Sequence, residues 1–180
     1  TGGGLYSFNS NPVITNSLIQ NNHSNNGAGV FLQLGSPIFG NVIITDNDAV
    51  SLGGAIYCGL TSSPILNQVT ISNNSASIGG GILSIQNSQP IFLNSILWND
   101  FPEEVVSHLD SITFVYSNIQ GGWQGVGNIN QDPLFCIIEA GDYTLAENSP
   151  CLASGENGVN MGANDIGCST INFPPSEFSL

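Results

Sequence analysis

The chain has 180 residues and is 41% hydrophobic, enough for a continuous core in one domain or one run of repeats, and its 13 acidic residues stand against no Lys or Arg, a net charge of −13. Without a basic side chain it lacks the usual means of holding nucleic acid or an anionic lipid surface, and no apolar run approaches the ~20 residues of a membrane-spanning helix, so neither nucleic-acid binding nor membrane insertion is expected. It also offers no site to proteases that require Lys or Arg, which suits persistence outside cells.

From the first residues the chain repeats itself. Four segments align without gaps over eleven positions: PVITNSLIQNN from Pro12, PIFGNVIITDN from Pro37, PILNQVTISNN from Pro64 and PIFLNSILWND from Pro90. Their starts are 25, 27 and 26 residues apart, and each follows a glycine-rich opening, at Gly2-Gly3-Gly4-Leu5, Gly27-Ala28-Gly29-Val30, Gly53-Gly54-Ala55-Ile56 and Gly79-Gly80-Gly81-Ile82. Each unit consists of short β-rich runs broken by Gly, Pro, Asn and Ser, a pattern of short strands without room for a helix. One unit cannot bury its own apolar side. Stacked as coils of a solenoid, the units pair each strand with its equivalent ~4.8 Å away and turn recurrent positions into ladders. The expected fold is therefore all-β, a solenoid of parallel strands with about 26 residues per coil, for which the family resemblance given below implies a right-handed parallel β-helix.

Strand alternation assigns the faces. Leu5, Val30, Ile56 and Ile82 point inward, with Ile14, Phe39, Leu66 and Phe92, then Ser17, Val42, Val69 and Ser95, then Ile19, Ile44, Ile71 and Leu97. Asn16, Asn41, Gln68 and Asn94, and again Asn22, Asn47, Asn74 and Asp100, are expected as corner ladders. There amide side chains bond to the coils on either side, and Asn tolerates a left-handed backbone.

Residues 1–100 thus form regular coils. Residues 101–135 are expected as irregular coils with a looped insertion from Asp100 to Asp110, residues 136–168 as a cysteine-containing terminal cap, and residues 169–180 as a tail or linker. Cys58 reads as a core residue, whereas Cys136, Cys151 and Cys168 cluster where irregular segments gain most from a covalent staple, which favours an oxidising compartment. The pair expected is Cys136 with Cys151, closing a short loop. No charged-then-apolar leader opens the chain, so a secreted protein would be present here as a mature form or a fragment. The first coil opens almost directly at Thr1 with bare strand edges, which are expected to be able to accept the end of another molecule.

The repeats resemble the right-handed parallel β-helix superfamily of pectate-lyase-like fold. Within it, Gly53-Gly54-Ala55-Ile56 followed by Ile71-Ser72-Asn73-Asn74-Ser75-Ala76 looks like the GGAI and FxxN repeats of polymorphic outer-membrane adhesins of bacteria, with Ile71 in place of Phe. The second half resembles the terminal coils of such proteins, at Asn94-Ser95-Ile96-Leu97-Trp98, Tyr116-Ser117-Asn118-Ile119, Asn128-Ile129-Asn130-Gln131-Asp132-Pro133 and Gly141-Asp142-Tyr143. Phe173-Pro174-Pro175-Ser176-Glu177-Phe178 looks like the linker to a type IX secretion sorting domain. The resemblance implies an extracellular or cell-surface location.

The superfamily also holds polysaccharide lyases, hydrolases and epimerases, so a glycan-degrading enzyme is the alternative function. A lyase of that kind neutralises a uronate with Ca²⁺ and Arg or Lys; this chain has neither basic residue, and its charge repels polyuronates unless calcium bridges the two. Inverting hydrolysis needs carboxylates ~6.5–9.5 Å apart, and the repeats offer only Asp46, Asp48 and Asp100, read as turn residues, as is Asp132. His23 and His108 lack metal-ligand spacing. No catalytic residue, metal site or cofactor is expected, Ca²⁺ being the one ion that the alternative would need. The outward series Gln20, Thr45, Ser72 and Trp98 lacks the threonine ladder of an ice-binding face.

What remains is surface. If Leu5 and its equivalents face in, Tyr6, Phe31, Tyr57 and Leu83 form one outward ladder, and Leu18, Ile43, Thr70 and Ile96 a second. Two such ladders would expose several hundred square ångströms of apolar surface, on the order of what a soluble monomer reserves for a partner. The sequence therefore points to a non-catalytic structural or adhesive module that self-associates, as in a filament, or binds surface polysaccharide, with Tyr6, Phe31, Tyr57, Leu83, Leu18, Ile43 and Ile96 as contact residues.

Overall fold

The structure, a computed structural model, describes residues 2–108 and 111–172; Asp110 and the linker-like segment 173–180 lie outside the described residues. Coil 1 comprises β1 (Leu5–Phe8), β2 (Val13–Gln20) and β3 (His23–Asn26), and coil 2 comprises β4 (Val30–Gln33), β5 (Ile38–Thr45) and β6 (Asp48–Leu52). Coil 3 has β7 (Ile56–Gly59) and β8 (Ile65–Ser72), and coil 4 has β9 (Ile82–Ile85), β10 (Ile91–Leu93) and β11 (Ile96–Trp98). Coil 5 has β12 (Val105–His108), β13 (Thr113–Val115) and β14 (Asn118–Ile119), and the chain closes with β15 (Phe135–Ile137), β16 (Asp142–Ala146) and β17 (Ile166–Cys168).

The coils stack as a parallel β-solenoid. One sheet runs β1-β4-β7-β9-β12, a second runs from β2 through β5 and β8 to the shorter strands of coils 4 and 5, and β3 pairs with β6 on a third face. Register is that of the sequence repeat: Leu5 pairs with Val30, Val30 with Ile56 and Ile56 with Ile82. A partial sixth coil adds the bridge from Asn118 to Ile129.

The corners follow from backbone chemistry. Asn16, Asn41, Gln68 and Asn94 all have positive φ and bend the second sheet, leaving the pairing to resume one residue later. Asn tolerates this left-handed region better than most residues because its short amide can bond locally. In the other predicted ladder the positive φ falls one residue earlier, at Asn21, Asp46, Asn73 and Asn99. That offset frees Asn22, Asn47 and Asn74 to turn their side chains into the coil interior.

Phe39, Ile44, Leu66, Val69, Ile71, Phe92 and Leu97 have no exposed surface and form one core along the axis. Leu5, Ile14 and Ile19 of coil 1 pack against that core but are only partly covered. Phe92 stacks on Phe114 at 4.5 Å, and Trp123 meets Phe114 edge-on, closing the downstream end.

Three expectations are corrected here. Val105–His108 does not loop out: β12 pairs in parallel with β9 and continues the first sheet, and before it Phe101 bridges to Ser75 and the Glu104 carbonyl accepts from Ile82 N–H. The disulfide joins Cys136 to Cys168, not Cys151. β16 pairs antiparallel with β15 and parallel with β17, which carries Cys168 to Cys136, while Cys151 is buried and receives a hydrogen bond from Asn118 Nδ2 at 3.1 Å. Finally, the segment 135–168 is not stacked on the end of the solenoid but lies along its flank. Tyr143 hydroxyl bonds Thr45 hydroxyl, Ala163 N–H donates to Thr70 Oγ1 at 3.0 Å, and Glu156 N–H donates to Asn94 Oδ1 at 2.7 Å.

Candidate binding surface

The two ladders named from the sequence have the expected direction but mostly not the expected exposure. Tyr6 is 54% exposed, whereas Phe31, Tyr57 and Leu83 fall between 4% and 7%. Each ring is covered by its neighbours in the ladder: Tyr6 stacks on Phe31 at 5.6 Å and Phe31 on Tyr57 at 4.4 Å, with Leu52, Ile85 and Val106 packing alongside. Tyr6, the first ring of the stack, has no ring on its other side among the described residues. In the second ladder Leu18 is 54% exposed and Ile43 half-buried, while Thr70 and Ile96 are buried beneath Met161, Tyr143 and the backbone at Gly162. The flank-docked segment therefore removes Ile96 and part of Ile43 from any partner's reach, and the stack removes Phe31, Tyr57 and Leu83.

A third outward ladder remains open. Val13, Ile38, Ile65 and Ile91 stand in register on β2, β5, β8 and β10 and are 37–67% exposed. Four strands at ~4.8 Å spacing make a straight aliphatic stripe roughly 14 Å long. The next outward positions on the same face are Thr15, Gly40, Asn67 and Leu93, so no ionisable side chain interrupts it. The signal was in the alignment: each residue directly after the repeat's proline precedes an inward residue and must face out.

The ionisable groups are dispersed. His23 Nδ1 meets Asp48 Oδ2 at 2.9 Å on the surface, and Ser75 Oγ donates to Asp48 Oδ1 at 2.6 Å. The Ser75 hydrogen bond, with help from His23, holds the Asp48 carboxyl below the usual range. Asp46 sits at an exposed corner and accepts from Thr45 Oγ1. Asp100 instead lies inside, 8% exposed, beside Glu104; burial first, then the Glu104 charge, pushes its carboxyl well above the ordinary range. His108 is exposed on β12, far in sequence from His23. Among the described residues no group of three or more His, Cys, Asp or Glu converges on a metal-sized site, and no helix is long and apolar enough to cross a membrane.

An open cavity of about 550 Å³ lies between the turns 99–105 and 119–123, lined among others by Glu103, Gln120, Gly121 and Trp123. Burial leaves the thiol of Cys151 pushed up to about 11. A buried thiol of this kind is no nucleophile.

Residues 41–59 match the model of the Chlamydia polymorphic membrane protein repeat. Comparison with curated proteins and with solved structures gives no match. The matched stretch covers β5 from Asn41 onward, the corner at Asp46, β6, the glycine-rich turn after it and all of β7. The likeness suggests a surface-associated, adhesin-like β-helix protein.

Proposed function

We propose that this chain is a non-catalytic adhesive module of an extracellular or cell-surface β-helix protein, and that it engages an uncharged partner through the open face of its second sheet. The observation that carries the reading is the exposed ladder Val13, Ile38, Ile65 and Ile91, flanked by neutral side chains on a rigid sheet. A straight, desolvatable stripe fits a second flat β-face, so self-association is the first form of the proposal and retention on neutral polysaccharide the second. The repeat likeness and the Cys136–Cys168 disulfide, which belongs to an oxidising compartment, support the location. The absence of Lys and Arg argues against a lyase, because nothing in the chain would share the neutralisation of a uronate.

Light scattering of the chain across a concentration series, with affinity electrophoresis in neutral glycans, tests the reading. Val13, Ile38 and Ile65 changed to Thr keep β propensity and should abolish association or retention. A strictly monomeric wild type without retention would refute both forms. Incubation with polygalacturonate, alginate and neutral glycans, with and without Ca²⁺, should release no unsaturated product or reducing end. Turnover abolished by substitution of Asp46 or Asp100 would establish the enzyme reading instead.

A further inference from the structure

The interior amide ladder ends in an anomaly. Asn22 donates its backbone N–H and Nδ2–H to Asn47 Oδ1 at 3.1 and 2.9 Å, and Asn47 does the same to Asn74 Oδ1 at 3.0 and 2.9 Å. Asn74 repeats the pattern toward Asp100 Oδ1 at 2.7 and 2.8 Å. The next coil supplies no Asn. Glu104 turns back from the 101–104 turn, and its Oε1 accepts the backbone N–H of Asp100 at 2.9 Å, taking the acceptor's place in the ladder. To complete the step Asp100 would need a side-chain hydrogen where each Asn has Nδ2–H, and an ionised carboxylate has none. Asp100 Oδ2 and Glu104 Oε2 are buried without a donor among the described residues.

We infer that Asp100 and Glu104 form a proton-binding site, in which one shared proton stands where the ladder has an amide hydrogen, and that losing this proton releases the 101–104 turn. The two carboxyl groups lie within hydrogen-bonding reach, and burial raises both above the ordinary carboxylate range. Two carboxylates held this close do not both ionise readily.

The chain has no Lys or Arg to supply a counter-charge. On the same turn Glu103 Oε2 accepts from Gly79 N–H, and the Tyr143 phenol of the flank segment feels the charges of Asp46 and Asp100. Gly81 closes the side toward coil 4: a Cβ there would meet Asp100 Oδ2 at 3.0 Å and the Glu104 carbonyl oxygen at 2.3 Å.

The direction of the pH effect follows. In the unfolded chain both acids ionise near pH ~4, whereas the folded pair retains a proton above that value. The folded state therefore binds more protons than the unfolded, and stability falls as pH rises from ~4 through the raised folded value. Asp100→Asn supplies Nδ2–H permanently, and Glu104→Gln supplies Nε2–H to an ionised Asp100; both keep the acceptor geometry and neither needs the proton.

Thermal midpoints of wild type, D100N and E104Q between about pH 5 and about pH 9, with infrared detection of protonated carboxyl groups in deuterated buffer, test the site. Wild type should retain a protonated carboxyl signal to higher pH than either variant, and its midpoint should fall more steeply across the range than theirs. Parallel pH curves for all three proteins without that signal would overturn the proposal. So would a wild-type midpoint raised by millimolar Ca²⁺ but unchanged in D100N, because the pair would then hold a cation.

Discussion

Truncating Asn74 to Ala probes the energetics of the ladder most directly. Its side chain is 1% exposed, Oδ1 accepts both Asn47 donors, and Nδ2 donates to Asp100 Oδ1 at 2.8 Å and to the carbonyls of Ile44 and Ser72 at 3.0 Å each. Removing it loses two accepted hydrogen bonds and the two N–H donors shared among three acceptors, each bond worth about 1 kcal/mol net, and strands buried carbonyls at further cost, for a loss of about 4–6 kcal/mol. Asn22 occupies the same position in coil 1 but is only half-buried, and its Nδ2 donates to Gln20 O and Asn47 Oδ1. Asn22→Ala should cost about 1–2 kcal/mol, since water replaces much of what is lost. For a domain of this size the two variants should melt about 10–20 °C and about 3–6 °C below wild type, respectively. Circular dichroism melts in parallel with urea titrations measure both. Equal losses at positions 22 and 74 would refute the view that burial of the ladder, and not the amide alone, sets its worth.

Further outcomes are expected. Cys168→Ser opens a disulfide separated by 32 residues and should destabilise the flank segment by about 4 kcal/mol in the chain-entropy model, seen as earlier proteolytic release of residues 135–168 with the coils intact. Cys58 and Cys151 are buried, the latter with its thiol raised to about 11, so neither should react with a thiol reagent at about pH 8 until the chain unfolds, when two thiols should titrate together. Asp48 is held below its usual range by Ser75 and His23, so its contribution is present above about pH 4 and fades as pH falls through the lowered folded value. Asp48→Asn should flatten the acid limb of the stability curve only slightly, because both partners are largely exposed.

Much of the solenoid was legible because a repeat states each structural choice four times. The pairing of Leu5, Val30, Ile56 and Ile82, the inward set through Phe39 and Val69, and the left-handed corners at Asn16, Asn41, Gln68 and Asn94 follow from alternation and local backbone preference. Exposure was harder to read. Alternation gives a side chain's direction, but whether Phe31 and Tyr57 remain wet depends on their stacking, and whether Ile96 does depends on a segment about 40–65 residues further on that has no period. The one local trace of that segment is Thr70, a hydroxyl in an otherwise aliphatic ladder, which accepts from Ala163 N–H. Cys151 and Cys168 were equivalent by spacing arguments; the pairing of β16 with β17 separates them, and it rests on contacts that no repeat announces. Glu104 was likewise hidden, because its role is to stand in for a residue of a coil that breaks the pattern.

The flank segment also changes how the molecule would carry load. In a simple stack each coil touches only its neighbours and can peel away in turn. Here Tyr143 grips Thr45 across 98 residues and Ala163 grips Thr70 across 93, so coils 2 to 4 are strapped by one strip of chain running beside them. A pull on the downstream end must first strip this brace before any coil can unwind. Coil 1 lies beyond the brace, with Leu18 uncovered, and would yield independently. Force borne by coils 2 to 4 should therefore meet more resistance than force borne by coil 1.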